Sequence, residues 1–171
     1  RMRRPYTRAE YLERLARLAD RVPGIGIGGD VMVGFPGETD EAHRATVDAV
    51  RESPLAYLHV FPYSARKGTP AARMPEQVSP SIRKARAAEL RDVGERKRRA
   101  FIDGFIGEAL EVLFEGRREA DSGYLQGVTD NYIRVFAPGP DGAMDRIRRV
   151  HLGRVDGDRV VGEIIEDASC G

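Results

Sequence analysis

The chain has 171 residues, of which 41% are hydrophobic, so it can hold one ordinary domain or two small ones. No apolar run approaches the roughly 20 residues of a membrane-spanning helix, and we expect no membrane partner. Residues 1–105 carry 20 Lys and Arg against 14 Asp and Glu, a net of +6, whereas residues 106–171 carry 8 against 13, a net of −5. A polyanion should therefore be drawn first to the N-terminal part of the chain.

Cysteine and histidine usage limits the metal chemistry of the chain. Its single cysteine, Cys170, excludes an internal disulfide and any iron–sulfur or zinc site built from cysteines of this chain. His43, His59 and His151 lack the spacing of metal ligands, so we predict no metal site. The chain starts with Arg1 and has no signal-peptide pattern, and we interpret it as part of a longer cytoplasmic protein.

The first part of the chain alternates helical and strand patterns. A Thr7–Glu10 capping box and a Thr39 N-cap mark the starts of two helices, and Ser79-Pro80 opens a long basic one. The predicted elements in chain order are a helix over 7–22, a strand over Ile25–Val33, a helix from Asp40 to Glu52, a strand over Tyr57–Tyr63 and a helix to Asp103. This order predicts an α/β domain over residues 1–105 with parallel strands. Two strands cannot bury both sheet faces, so we expect partner strands from an upstream part of the same polypeptide.

From about residue 106 the pattern changes to short alternating runs separated by turns rich in Gly, Asp and Pro. The predicted strands are Ala109–Phe114, Tyr124–Val128, Tyr132–Phe136, Arg149–Val155 and Arg159–Ile165. Five short strands predict an all-β domain over 106–168, a small antiparallel barrel similar to oligonucleotide-binding folds.

Gly24, Gly26 and Gly29 match the spacing of a dinucleotide-binding fingerprint. That fingerprint follows a strand and opens a helix, whereas these glycines precede the strand-like DVMV, which disfavours a dinucleotide site. The alternative is that small residues clear one strand face, so that a bound ligand can reach Asp30.

Two segments lie where strands end, at the edge where parallel α/β folds bind ligands. The first is GFPGET at residues 34–39, which also fits an ordinary turn and helix cap. The second is YSARKGTP at residues 63–70, which offers a guanidinium, an ammonium and hydroxyls. Tyr57, His59, Phe61 and Tyr63 share one face of the second strand, as expected either for a core or for a surface that stacks on a ring-containing cofactor.

Two further segments have a composition suited to nucleic acid. The helix from Arg83 to Arg99 carries eight basic residues, including the run 96–99, and fits either a solvated helix or a phosphate-binding element. The segment TDNYIRV at 129–135 combines an amide, an aromatic ring and a guanidinium, groups that stack on and hydrogen-bond to unpaired bases.

Taken together, these segments resemble one family. RMRRPYT, DVMVGFPGET and HVFPYSARKGTPAARM, in this order, are similar to the C-terminal stretch of radical S-adenosylmethionine tRNA methylthiotransferases. GYLQGVTDNYIRV and the following segment resemble the TRAM domain at the C-terminal end of those proteins. The resemblance of all these segments together covers residues 1–165. It implies that residues 1–105 are the end of a partial (β/α) barrel and that 106–168 form an RNA-binding TRAM barrel.

The resemblance also implies an activity. The HVFPYS and TDNYIRV forms are most similar to the branch that methylthiolates N6-threonylcarbamoyladenosine beside the tRNA anticodon, which makes the anticodon stem-loop the expected partner. The family uses S-adenosylmethionine and two 4Fe–4S clusters, whose cysteine ligands are absent from this chain. Cys170 matches neither cluster motif, and the fragment alone is expected to be inactive.

Site residues follow from the same resemblance, by motif position. The positions that resemble a cofactor and substrate mouth are Asp30, Gly34, Phe61, Tyr63, Ser64 and Arg66. The positions that we expect near RNA are Arg96, Lys97, Arg98, Asn131, Tyr132 and Arg134. No residue of the chain is assigned a catalytic role.

Four alternatives remain open from the sequence. The isopentenyladenosine branch is the second most similar, and the branch that modifies an aspartate of a ribosomal protein is the third. The chain also fits a stand-alone RNA-binding module without catalysis. A phosphate-binding α/β enzyme of another kind would need a complete parallel sheet, which two strands do not supply.

Overall fold

The computed structural model describes residues 2, 4–157 and 159–165. Three helices, α1 (Arg8–Arg21), α2 (Asp40–Glu52) and α3 (Pro80–Asp103), and two strands, β1 (Gly28–Val33) and β2 (Tyr57–Pro62), form its first part. Five strands follow: β3 (Ala109–Arg118), β4 (Leu125–Thr129), β5 (Arg134–Ala137), β6 (Ile147–Asp156) and β7 (Arg159–Ile164). The chain divides into two compact units, Arg1–Arg99 and Ala100–Gly171.

The predicted change from α/β to β structure is confirmed. The domain limits 1–105 and 106–168 stay a prediction, and positions 166–168 lie outside the described residues. Single-turn 3-10 helices at Pro70–Arg73 and Asp141–Ala143 were not predicted.

Local capping explains where the helices begin. The Thr7 hydroxyl accepts a hydrogen bond from the Glu10 backbone N–H, and the Glu10 carboxylate accepts one from the Thr7 backbone N–H, as the capping box requires. The Thr39 hydroxyl likewise accepts from the Ala42 N–H at 3.2 Å. Both predicted caps are confirmed, and α3 begins with Pro80, as predicted.

The α/β unit is built on one pair of parallel strands, with Gly28 opposite Tyr57 and Val33 opposite Pro62. One face of this pair packs on α2 and α3 in a core formed by Val33, Val47, Val50, Val60, Ala87, Leu90 and Val93. The predicted strand from Ile25 starts three residues too early, because β2 supplies a register partner only from Tyr57 onward.

The second unit is a closed barrel with the strand order β3-β4-β5-β7-β6. Alternate residues point inward, so that β3 buries Val112 and Phe114 while the residue between them, Leu113, is 49% exposed. Residues of the strands and of the turns pack into one hydrophobic core, which contains Leu125, Ile133, Val135, Val150, Leu152 and Val160.

One feature of the predicted barrel is wrong. The strands were expected to be antiparallel throughout, whereas β5 and β7 pair in parallel, with Val135 opposite Val160. Strand direction must alternate around an antiparallel ring, so a closed ring with an odd number of strands contains at least one parallel pair. The barrel is therefore mixed.

Among the described residues, no helix is long and apolar enough to cross a membrane.

Replacing Phe114 with Ala should lower the free energy of unfolding of the barrel by about 3–5 kcal/mol, because the change empties a fully enclosed site. The adjacent Leu113 provides a matched control, and Leu113→Ala should cost less than about 1 kcal/mol. Urea unfolding followed by circular dichroism measures both values. Equal losses would contradict the inward and outward assignment of these neighbours.

Candidate functional sites

The face of the β1–β2 pair opposite the core presents polar and aromatic side chains. Asp30 lies opposite His59 and Met32 lies opposite Phe61, and all four residues are exposed. The Tyr57 and His59 rings make an edge contact at 5.7 Å between centroids. The predicted face of alternating residues is thus confirmed within the strands, and it contains the predicted site residues Asp30 and Phe61.

Asp30 and Phe61 line one open cavity of about 590 Å³, whose size suits a small molecule. Further lining residues are Met32, Tyr6 and Tyr11. The two tyrosine rings stack at 5.9 Å, and burial, together with the nearby Tyr6 and Asp30, raises the pKa of Tyr11. The cavity therefore combines ring faces with a carboxylate.

The GFPGET turn follows β1 and is stabilised by a hydrogen bond between two of its own residues. The Gly34 N–H donates to the Glu38 carboxylate at 2.6 Å, and this carboxylate also accepts from Arg86 at 2.7 Å. Gly34 has a φ of +71°, and a Cβ there would lie 2.2 Å from the Arg83 side chain. Position 34 therefore requires glycine for conformation and for space.

Arg86 connects this turn to α3. It is buried, and its guanidinium also donates to the Glu38 carbonyl at 3.0 Å and to the Asp40 carboxylate at 2.7 Å. Burial lowers the pKa of Arg86, but the hydrogen bonds to Asp40 and Glu38 outweigh burial and raise it. The Arg86 hydrogen bond in turn lowers the pKa of Asp40. Arg86 therefore remains charged and forms ion pairs with both carboxylates.

Tyr63, Ser64 and Arg66 occupy different surroundings. Tyr63 is buried, with its ring edge-on to Phe35 at 5.6 Å and its backbone carbonyl accepting from Arg83. It does not extend the exposed face of β2, because the strand ends at Pro62. Ser64 and Arg66 lie in the exposed loop that follows, where the Arg66 carbonyl accepts from the Thr69 hydroxyl at 2.8 Å.

The three predicted RNA-contacting residues of α3 differ in their contacts. Arg96 is exposed at its side chain and pairs with Asp92 one turn earlier. Lys97 donates to the Ser53 carbonyl at the end of α2 at 2.7 Å, and burial lowers its pKa. Arg98 lies over the Tyr57 ring at 5.9 Å, and burial lowers its pKa as well. Lys97 and Arg98 thus have packing roles that the sequence did not indicate.

The three predicted RNA-contacting residues of the β4–β5 hairpin also differ in their burial and contacts. Asn131 is buried and its side-chain oxygen accepts from the Thr129 hydroxyl at 2.5 Å. Tyr132 is 63% exposed with a φ of +66°, and Arg134 is exposed on β5. Asn131 therefore shapes the turn, while Tyr132 and Arg134 face solvent.

Sequence reasoning missed the role of Glu38 and Arg86. Arg86 was counted as one of eight basic residues of a helix, and only the fold shows that it is buried beside a carboxylate. The signal for Glu38 is its place four residues after a turn glycine, but a glutamate at that spacing also suits an ordinary exposed turn.

No cluster of three or more metal-ligating side chains occurs within residues 2, 4–157 and 159–165. Cys170 lies outside the described residues.

Comparison with known proteins identifies the relatives of this chain. No family model matches it. The threonylcarbamoyladenosine tRNA methylthiotransferase MtaB of Bacillus subtilis (strain 168) is 36% identical over 154 residues, which are 89% of this chain and 34% of the relative. The protein of the same name from Rickettsia prowazekii (strain Madrid E) is 42% identical over 135 residues, 79% of this chain and 30% of the relative. The chain belongs to the tRNA methylthiotransferase family.

A second group of relatives carries another name. The tRNA-2-methylthio-N(6)-dimethylallyladenosine synthase of Alkaliphilus oremlandii (strain OhILAs) is 33% identical over 166 residues, 97% of this chain and 35% of the relative. The predicted resemblance to tRNA methylthiotransferases is confirmed, and both branches are represented. The chain spans about a third of the length of the curated relatives that it matches.

Replacing Arg86 with Met should lower the free energy of unfolding of the α/β unit by about 3–5 kcal/mol, because Glu38 is then left buried and uncompensated. Arg44→Met is the control, since the Arg44–Glu41 pair at 2.7 Å is exposed and should contribute less than about 1 kcal/mol. Urea unfolding measures both changes. Adding Glu38→Gln to Arg86→Met should recover part of the loss, and an Arg86→Met loss as small as that of the control would contradict this account.

Proposed function

We propose that this chain is the C-terminal portion of a radical S-adenosylmethionine enzyme that methylthiolates N6-threonylcarbamoyladenosine beside the tRNA anticodon. The observation that carries the proposal is the similarity to two proteins named MtaB, over 79% and 89% of this chain. The proposal includes a cytoplasmic location, where such an enzyme meets tRNA.

The residues of the open β1–β2 face fit the adenosine side of S-adenosylmethionine. Phe61 is half exposed in a cavity of about 590 Å³ and offers a ring face for the adenine. The Asp30 carboxylate at the same cavity can accept hydrogen bonds from ribose hydroxyls or an amino group. When bound, S-adenosylmethionine supplies the radical and the methyl group of the family chemistry. The chain's part is to bind and orient it.

The six predicted cofactor positions then divide by role. Asp30 and Phe61 contact the cofactor directly, and Gly34 and Tyr63 form the packed edge behind it. Ser64 and Arg66, in the exposed loop, meet the charged end of the cofactor or the substrate. The iron–sulfur clusters do not fit this chain, which has one cysteine, and we assign them to the upstream part of the polypeptide.

The anticodon stem-loop is the proposed partner of the exposed cations and of the hairpin. Arg96, Tyr132 and Arg134 are accessible for contacts with phosphates and bases. We assign Lys97, Arg98 and Asn131 a supporting part, because their side chains already make contacts within their own unit.

A second candidate substrate is the isopentenyl-type adenosine at the same tRNA position. The match to the dimethylallyladenosine synthase of Alkaliphilus oremlandii covers 97% of this chain and favours it. The two candidates differ only in the group on N6 of the adenosine.

The full-length protein that contains this sequence, expressed in a host without its own methylthiotransferases, should produce 2-methylthio-N6-threonylcarbamoyladenosine in tRNA. Mass spectrometry of nucleoside digests measures the product, and the empty vector is the control. A 2-methylthio product of the isopentenyl nucleoside alone would select the second candidate. The absence of any methylthio nucleoside, with the protein folded and its clusters loaded, would overturn both.

Phe61→Ala in the same full-length protein should weaken S-adenosylmethionine binding about 5- to 150-fold, since ring stacking is worth about 1–3 kcal/mol. Arg66→Ala should also weaken binding or slow turnover. Equilibrium binding measures the affinities, and Tyr124→Ala and the exposed Arg21→Ala are the matched controls. Unchanged affinity and turnover in both test variants would remove these two residues from the proposed site.

A further inference from the structure

Arg83, in the first turn of α3, lies beside the point where the two strands of the α/β unit end. A Cβ atom at Gly34, the first residue after β1, would overlap the Cγ atom of Arg83, so the arginine side chain packs directly against that glycine. The Arg83 guanidinium also donates a hydrogen bond to the backbone carbonyl of Tyr63, the first residue after β2. One side chain of α3 therefore contacts the first residue of GFPGET and the first residue of YSARKGTP.

The Tyr63 ring strengthens this connection. The Cζ atom of Arg83 lies 5.9 Å from the centroid of the ring, within the range of a cation–π contact. The ring is buried, and it meets the ring of Phe35 in the first segment edge-on. The two segments are thus linked through one arginine and one tyrosine.

Backbone hydrogen bonds join the same segments on either side of Arg83. The Tyr63 N–H donates to the Val33 carbonyl at 2.8 Å, at the end of the strands. The Gly37 N–H donates to the carbonyl of Glu76, in the loop after β2, at 2.9 Å. Arg83 contacts the backbone between these two points, at Gly34, whose φ of +71° departs from strand geometry. The arginine therefore supports the place where the first segment leaves the sheet.

Arg83 differs from the other arginines of α3 that were counted with it in the basic run. Arg86 pairs with two carboxylates and Arg96 pairs with Asp92, whereas Arg83 forms no salt bridge with any residue that the structure describes. It is half-buried, and its charged end meets a carbonyl and a ring of its own unit. These surroundings suit neither a surface ion pair nor an exposed contact with phosphate.

We propose that Arg83 is a positioning residue for methylthiolation, which fixes the spacing between GFPGET and YSARKGTP. This inference rests on the proposed function, in which Ser64 and Arg66 meet the charged end of the cofactor or the substrate. Because Ser64 directly follows Tyr63, a shift of the Tyr63 carbonyl displaces this hydroxyl and the loop that carries Arg66. A misplacement of about 1 Å can slow a reaction about 100-fold. Arg83 acts through the backbone and does not itself meet the reactants.

Arg83→Met in the full-length protein that contains this sequence tests the proposal. Methionine keeps an unbranched apolar side chain next to Gly34 and removes the guanidinium. The kcat for methylthiolation of tRNA should fall about 10- to 100-fold. KM and the equilibrium affinity for S-adenosylmethionine should change less than kcat, because Asp30 and Phe61 are unaltered and only the orientation of the reactants is lost.

A conservative variant and a matched control accompany this change. Arg83→Lys should recover part of the rate, since an ammonium group can still donate to the Tyr63 carbonyl but lacks the planar group over the ring. Arg91→Met is the control on the same helix. Arg91 approaches the Val60 carbonyl, inside β2, at only 3.5 Å, and its removal should leave kcat unchanged.

Two further measurements separate positioning from other roles. Amide hydrogen exchange of the full-length protein should become faster in both segments, 34–39 and 63–70, in Arg83→Met but not in Arg91→Met. The salt dependence of tRNA binding should equal that of the unaltered protein, because the Arg83 guanidinium is engaged within its own unit and meets no phosphate.

Each contrary result is distinct. An unchanged kcat in Arg83→Met, with the unaltered protein active, removes the positioning role and leaves the proposed function standing. A loss that disappears when kcat is expressed per bound equivalent of S-adenosylmethionine reflects fewer folded molecules, and it also overturns the proposal. A salt slope lower by about one phosphate contact would assign Arg83 to RNA instead. The absence of any methylthio nucleoside with the folded, cluster-loaded unaltered protein removes both this inference and the proposed function.

Discussion

The α/β unit depends on one buried ion pair. Glu38 and Arg86 are 11% and 8% exposed at their side chains, and together they join the turn after β1 to α3. Removing two charges from water is unfavourable, and it is offset here because the two groups bond to each other and to further partners with a fixed geometry. The carboxylate also holds the Gly34 N–H, so the pair sets the conformation of the backbone at the edge of the sheet. The proposed cofactor face begins at that edge.

The two faces of the β1–β2 pair differ because only one has a full layer of partners within this unit. Val33 and Val60 pack against α2 and α3, whereas Asp30 and Phe61 lie on the exposed face. A parallel sheet is normally covered on both sides. The open polar and aromatic face is the surface to which the proposed function assigns the cofactor.

The barrel places its core-forming residues at alternate positions along its strands. Inward residues such as Phe114 form a core that is complete within the unit, so outward positions are free of packing constraints. Leu113 lies outside this core, in contrast to its inward neighbours Val112 and Phe114.

Local sequence alone determined the helix starts at Thr7, Thr39 and Pro80, because capping depends on groups within four residues. The alternation of apolar and polar residues likewise predicted the strand faces and the five-stranded unit, and the sequence motifs predicted the family. The tertiary structure decided which charged residues are buried. Arg96 and Lys97 are neighbours in one basic run, yet only Lys97 reaches the end of another helix. Contacts between residues more than forty positions apart depend on how the elements pack, which no local pattern records.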